Sequence, residues 1–244
     1  MRQLLPDPSP GADLAAVYGG PRAPGPGRPW VLANMIASVD GSAALDGRSG
    51  GLGGPADRQV FHLLRALADV VLAGAETVRV ERYRPIREPR PVPIAVVSRS
   101  LALDLTQPLY ADAQARTIIL TCDASDPARR RLAAGVADVV VAGDEAVDPA
   151  LALAALAERG HQVALCEGGP GLLAQLVAAA LVDELCLTVS PLLAGGGGPR
   201  ILTGVGLADP GRLVLETALE DDGFLLLRYL TVPAEPSSRP EGGR

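Results

Sequence analysis

The chain contains no lysine: all 22 of its basic residues are arginine, set against 28 acidic ones for a net charge of −6. That absence excludes a Schiff-base lysine, a pyridoxal phosphate anchor, a phosphate-loop lysine and a serine–lysine dyad. Histidine and cysteine are also scarce. His62 and His161 lie outside any H-x-E or H-E-x-x-H pattern, and Cys122, Cys166 and Cys186 show no C-x-x-C spacing. No metal site is therefore expected. Each cysteine sits in an apolar, strand-like run, where a buried inert thiol is the expectation. An odd cysteine count without a signal peptide points to the reducing cytoplasm. No apolar run reaches the roughly 18 residues of a membrane span. The acidic balance argues against nucleic acid or an anionic membrane as partner.

What is present describes a globular protein. Hydrophobic residues make up 48% and charged residues 20% of the 244. A chain of this length buries its core as one large domain or two small ones. With so few nucleophiles and bases, an enzyme of this composition draws its hard chemistry from a cofactor.

Residues 1–28 are rich in glycine and proline, lack an apolar period and read as a flexible N-terminal arm; residues 232–244 read as a disordered tail. Between them, over residues 29–231, strand-like and helix-like segments alternate in one domain. Strands are expected at Trp30–Ser38, Asp69–Ala73, Val92–Ser98, Arg116–Thr121, Ala137–Val141, Gln162–Cys166 and Glu184–Ser190. Helices are expected at Pro55–Leu67, Pro127–Ala134, Pro149–Arg159 and Gly171–Ala180. The alternation means a mostly parallel sheet flanked by crossover helices. Arg212–Leu219 and Phe224–Leu230 flank Glu220-Asp221-Asp222-Gly223, so the sheet should end in an antiparallel hairpin.

The strand Val163–Cys166 runs into Glu167-Gly168-Gly169-Pro170-Gly171-Leu172-Leu173-Ala174 and then a helix. Glycines admit close backbone approach, and a helix start offers unpaired N–H groups, so the turn reads either as an anion cradle or as a plain tight turn. Gly74-Ala75-Glu76-Thr77 has the same logic, with a threonine hydroxyl to offer phosphate or a simple connection as the other reading. On the helix Pro55–Leu67, Arg58, His62 and Arg65 line one face and Val60, Leu63, Leu64 and Leu67 the apolar one. The basic face is a solvated surface or a phosphate clamp beside the glycine-rich loop Ser49–Gly54. Asp40, in Ser38-Val39-Asp40-Gly41, ends the first long strand as a proton donor, a substrate anchor or a turn former. The run Gly195–Gly198 reads as a flexible loop or a close backbone approach.

Ala37-Ser38-Val39-Asp40-Gly41, Gly54-Pro55-x-x-Arg58, Leu64-Arg65, Gly74-x-x-Thr77-Val78, Glu167-Gly168-Gly169-Pro170 and Leu181–Leu185 followed by Ser190–Leu193 occur in that order. Together they resemble the reductase domain of bacterial riboflavin biosynthesis, the RibD C-terminal domain family, in its stand-alone actinobacterial form. The resemblance covers about Trp30 to Thr231 and implies an α/β fold of the dihydrofolate-reductase-like type. It implies reduction of 5-amino-6-(5-phosphoribosylamino)uracil by NADPH, with hydride reaching the sugar C1, in a homodimer. By the same resemblance Gly74, Thr77 and the turn Gly168, Gly169, Pro170, Gly171, Leu172 and Leu173 are cofactor contacts, as are Ile36, Glu81, Ser98, Arg99 and Ser100. Arg99 is the expected partner of the adenosine 2′-phosphate. Ser49, Arg58, Arg65 and Glu167 are the implied substrate contacts, and Asp40 and Glu167 the catalytic pair. No zinc-deaminase motif is present, and Glu81-Arg82-Tyr83 stands where the family commonly has Asp-Pro. Reduction of dihydrofolate or another pterin-like ring, and cofactor binding without turnover, are the alternative readings.

Overall fold

The run Val31-Leu32-Ala33 has no polar side, and a strand of that kind must be covered on both faces. A computed structural model, which describes residues 1–204, 206–207 and 209–232, places it in the middle of one sheet. In chain order the first elements are β1 (Arg2–Leu5), α1 (Leu14–Tyr18), β2 (Trp30–Ser38), α2 (Pro55–Leu67), β3 (Val70–Gly74) and α3 (Ala75–Val80). Next come β4 (Ile94–Val97), α4 (Pro108–Ala111), β5 (Ile118–Thr121), α5 (Pro127–Ala134), β6 (Asp138–Val141) and α6 (Pro149–Ala157). The last are β7 (Val163–Cys166), α7 (Pro170–Ala178), β8 (Glu184–Ser190), β9 (Leu213–Asp221) and β10 (Phe224–Thr231). The strand order is β1-β9-β10-β8-β2-β7-β3-β4-β5-β6. Strands β8 through β6 in that order pair in parallel, and β10, β9 and β1 add antiparallel to β8.

Alternation along β2 shows how the two faces are covered. Leu32 joins a core with Val60 and Leu64 of α2, whereas Val31 and Ala33 join a second with Leu153 and Leu156 of α6 and Leu173 of α7. Val60 and Leu64 are buried and Leu63 and Leu67 pack against them, as the apolar face of that helix requires. All three cysteines are buried and free, and burial pushes the Cys166 thiol up to about 12. Among the described residues no helix is long and apolar enough to cross a membrane, and no cluster of acids, histidines or cysteines suits a metal.

The N-terminal segment departs from expectation. In place of a flexible arm, residues 1–28 carry β1 on the β9 edge and α1, whose Tyr18 is fully buried against the core. Two bidentate pairs fasten the stretch between α1 and β2: Arg22 donates to both oxygens of Glu184 at 2.9 Å, and Arg28 to those of Asp183 at 2.6 and 2.7 Å. Few apolar residues are involved, so no period announces the packing. The short helices α3 and α4 are additional to the expected elements: α3 begins within the turn Gly74–Thr77, and α4 lies in a stretch given no element. The expected disordered tail lies, from residue 233 onward, outside the described residues.

Candidate active site

Strands β2 and β7 pair only from Trp30–Ala33 against Val163–Cys166, while β2 continues along β8 as far as Ser38 against Ser190. The sheet therefore splits at its carboxyl edge, where ligands of α/β sheets bind. A cavity of about 910 Å³ opens there, lined by Asn34, Met35 and Ile36 from β2 and by the ends of β3, β4 and β7.

The glycine turn is shaped by contact. Gly168 has φ of +85°, which side chains resist, and a Cβ on Gly169 would stand 2.6 Å from Thr77 Oγ1. The Gly74 N–H donates to the Gly168 carbonyl at 2.8 Å, so the two turns that follow β3 and β7 are packed together. Helix α7 starts at Pro170 with no side-chain cap, leaving first-turn N–H groups of Gly171 and Leu172 available to an anion at the cavity wall.

Glu167 meets three donors. Arg65 Nε and Nη2 donate to its two oxygens at 2.6 and 2.8 Å, and the Tyr83 hydroxyl donates at 2.6 Å. The guanidinium carbon of Arg65 lies 4.2 Å from the Phe61 ring centre and 5.4 Å from that of Tyr83. Burial alone would weaken the Arg65 charge, but the Glu167 carboxylate more than offsets it and the net shift is upward. Burial, reinforced by Glu167, pushes the Tyr83 phenol well above its ordinary value.

Of the residues singled out in the sequence, the cavity brings together Ile36, Ser49, Arg58, Gly74, Thr77, Glu81, Ser98, Arg99, Ser100, Glu167, Gly169, Pro170, Gly171 and Leu172. Four lie elsewhere. Arg65 is paired with the lining residue Glu167 and Leu173 is core, and neither these two nor Gly168 line the cavity. Asp40 is exposed beyond the cavity rim, accepting from Ser38 Oγ and from the backbone N–H groups of Ala194 and Gly195. The Ser38 hydroxyl first, then those amides, hold its carboxyl down at about 2, so it stores no proton near neutrality. The helical face read as Arg58, His62 and Arg65 also divides: Arg58 lines the cavity, whereas His62 is exposed and meets Phe61 edge-on. Ser49 N and Oγ both donate to Glu81, which ties the glycine-rich loop to the end of α3. Ser98 and Ser100 hydroxyls accept from the N–H groups of Leu101 and Ala102 and shape their own turn.

A family model described as the RibD C-terminal domain matches residues 29–224. The chain belongs to this family. It is 30% identical over 211 residues to the 2,5-diamino-6-ribosylamino-4(3H)-pyrimidinone 5′-phosphate reductase of Methanothermobacter thermautotrophicus, covering 83% of this chain and 98% of that one. The reductase of the same name from Archaeoglobus fulgidus is 29% identical over 184 residues, 69% of this chain and 83% of that one. Among solved structures, a pyrimidine reductase-like protein from Corynebacterium diphtheriae superposes with a TM-score of 0.81 at 27% identity, covering 91% of this chain and 99% of that one. The resemblance drawn from the motifs is thus borne out, as is the fold class.

Two charged cavity residues of this RibD C-terminal domain, Asp57 and Arg79, carry no functional signal in the sequence. Asp57 lies in the first turn of α2, where an acid reads simply as a helix-dipole partner. It lines the cavity half-buried, and desolvation raises its pKa, although the Thr188 hydroxyl and Arg58 pull it back. Arg79 at the end of α3 also reaches the cavity; with Arg58 and Arg99 it makes no ion pair among the described residues. Tyr83, part of the Glu81-Arg82-Tyr83 departure seen in the sequence, lines the cavity as well.

Proposed function

We propose that this chain is an NADPH-dependent reductase that converts the ribosyl group of a 6-ribosylaminopyrimidine 5′-phosphate to a ribityl chain. The supporting observation is the single cavity that joins the Thr77–Gly169 cradle to Asp57 and Arg58. The residues fit the cofactor: a side chain at Gly169 would collide with Thr77, free helix N–H groups face the cavity, and its volume is at the upper end of ligand pockets. Thr77 and the α7 amino terminus would hold the pyrophosphate, and Arg99 with Arg79 the 2′-phosphate that separates NADPH from NADH.

Bound NADPH supplies the hydride that the sugar C1 receives. Opening the C1–O4′ bond also requires a proton on O4′, and Asp57 is the cavity carboxyl whose surroundings favour holding one. Arg58 offers its free guanidinium to the 5′-phosphate. Glu167, its oxygens already occupied by Arg65 and Tyr83, stands as a fixed wall with capacity for one further donor. The uracil substrate expected from the motifs and the 2-amino pyrimidinone named for the archaeal relatives share this ribosylamine phosphate and differ at ring C2.

The test is NADPH oxidation followed with each pyrimidine and with dihydrofolate. Turnover of a pyrimidine supports the reading; turnover of dihydrofolate alone, or NADPH binding without turnover of any of them, overturns it. A homodimer belongs to the same proposal, since Leu4, Leu5, Leu213, Val214 and Leu225 stand exposed around the β1–β9–β10 end of the sheet. A monomer by light scattering would remove that part. The free buried thiols accord with a cytoplasmic setting.

A further inference from the structure

We propose that Asp40 is a positioning residue: its carboxylate fastens the strap 191–203 to the loop after β2 and so holds two parts of the cavity wall in place. The strap leaves β8 and has neither helix nor strand. Asp40 Oδ1 accepts from Ser38 Oγ at 2.5 Å and from Ala194 N at 3.0 Å, and Oδ2 from Gly195 N at 2.7 Å. Two backbone bonds flank this point, Val39 N to Leu192 O at 3.0 Å and Ala43 N to Pro199 O at 2.7 Å. Among the described residues, segment 193–198 makes no other hydrogen bond to the rest of the chain, and Leu193 at its tip is 82% exposed.

The four-glycine run is explained as the counterpart of this latch. Gly195 and Gly196 have φ of +65° and +66°, and a Cβ on Gly198 would come 2.2 Å from Ser42 Oγ. Ser38 Oγ accepts from Ser42 N at 2.9 Å, so the same serine that donates to Asp40 also fixes the start of the opposite loop. That loop gives Ala43, Ala44 and Ser49 to the cavity, and the strap gives Pro199 and Thr203. The strap then reaches the α7 amino terminus, where Thr203 N donates to Pro170 O. Asp40 is thus linked through backbone to both the proposed substrate side and the proposed cofactor turn, without touching the cavity.

The inference rests on reading the cavity as the ligand site, so one readout is independent of ligand. In Asp40→Ala, thermolysin nicking near Leu193 should accelerate about 10-fold or more at an unchanged Tm, because a local opening is being released. KM for the pyrimidine should rise about 10-fold with a smaller loss of kcat, since misplaced walls weaken binding more than they alter chemistry. The pH profile of kcat should keep its shape from about pH 6 to 9, where Asp40 is fully ionised. Gly196→Ala, which strains the same strap with Asp40 intact, should reproduce the nicking and the KM shift. Unchanged nicking in both variants overturns the latch whatever the activity shows. Loss of one limb of the pH profile in Asp40→Ala would instead make Asp40 the proton donor. If Asp40→Ala does not fold, Gly196→Ala alone decides between faster nicking, which supports the latch, and none, which removes it.

Discussion

Replacing Arg65 by methionine should destabilise the protein even with no ligand present. A residue whose job is to contact substrate can be changed at the expense of KM alone, but Arg65 is committed within the fold. Its side chain is 17% exposed and that of Glu167 2%, and their bonds at 2.6 and 2.8 Å leave Glu167 only the Tyr83 hydroxyl if the guanidinium is lost. Breaking such a buried pair by removing one partner costs roughly 3–5 kcal/mol. At about 2–4 °C per kcal/mol for a chain of this size, the expected fall in Tm is roughly 6–20 °C. Methionine keeps part of the packing between Phe61 and Tyr83, so the loss reports the charge more than the volume. Urea and thermal unfolding of Arg65→Met, Glu167→Gln and the double variant measure the coupling directly. The double variant should be less destabilised than the sum of the two by roughly 2 kcal/mol. A single-variant cost below about 1 kcal/mol with additive effects, the behaviour of a surface pair, would refute the reasoning and return Arg65 to the substrate side.

Asp57 provides a second test, with opposite signs for stability and activity. Its carboxyl titrates above its unfolded value because burial disfavours the charge, so the native state holds the proton more tightly. Stability therefore falls as pH rises from the ordinary carboxylate range through the raised value. Asp57→Asn should raise Tm at neutral pH, lose that advantage in acid, and slow turnover about 10²–10⁴-fold, as thermal scans across pH and steady-state rates will show. Gly169→Ala should cost roughly 1–3 kcal/mol by driving a methyl into Thr77 Oγ1, yet cost little in a Thr77→Ala background. Equal losses in the two backgrounds, measured by thermal unfolding, would place the strain elsewhere.

Legibility in the sequence followed the range of the interaction. The glycine turn, Thr77 and the strand–helix alternation were readable because each is local: a turn after a strand, a helix start, an apolar run. Arg65 pairs with Glu167, which stands 102 positions away, and no spacing rule in the sequence connects them. Asp40 is open to three roles in the sequence, and no local pattern announces its partners Ala194 and Gly195, which come from a distant loop. Asp57 gives no signal, because an acid in a first helical turn already has an ordinary explanation. The N-terminal segment is hidden for the same reason: Arg22 and Arg28 pair with Glu184 and Asp183, more than 150 positions away, and Tyr18 packs into the core, while their own neighbourhood is glycine and proline.

The strand order also has a consequence for synthesis. Strand β2 is sandwiched between β7 and β8, and β1 pairs with β9, so these strands are made well before their partners. From the completion of β2 at Ser38 to the end of β8 at Ser190, elongation at about 5–20 residues per second takes roughly 8–30 s. Throughout that interval Val31-Leu32-Ala33, fully buried in the finished protein, lacks at least one of its two neighbouring strands. Contacts this distant in sequence make the native sheet slow to close, because loop entropy is lost before pairing rewards it. The nascent chain is therefore most exposed to misassociation through its central strand, and β7 and β8, made late, are the strands that end that exposure.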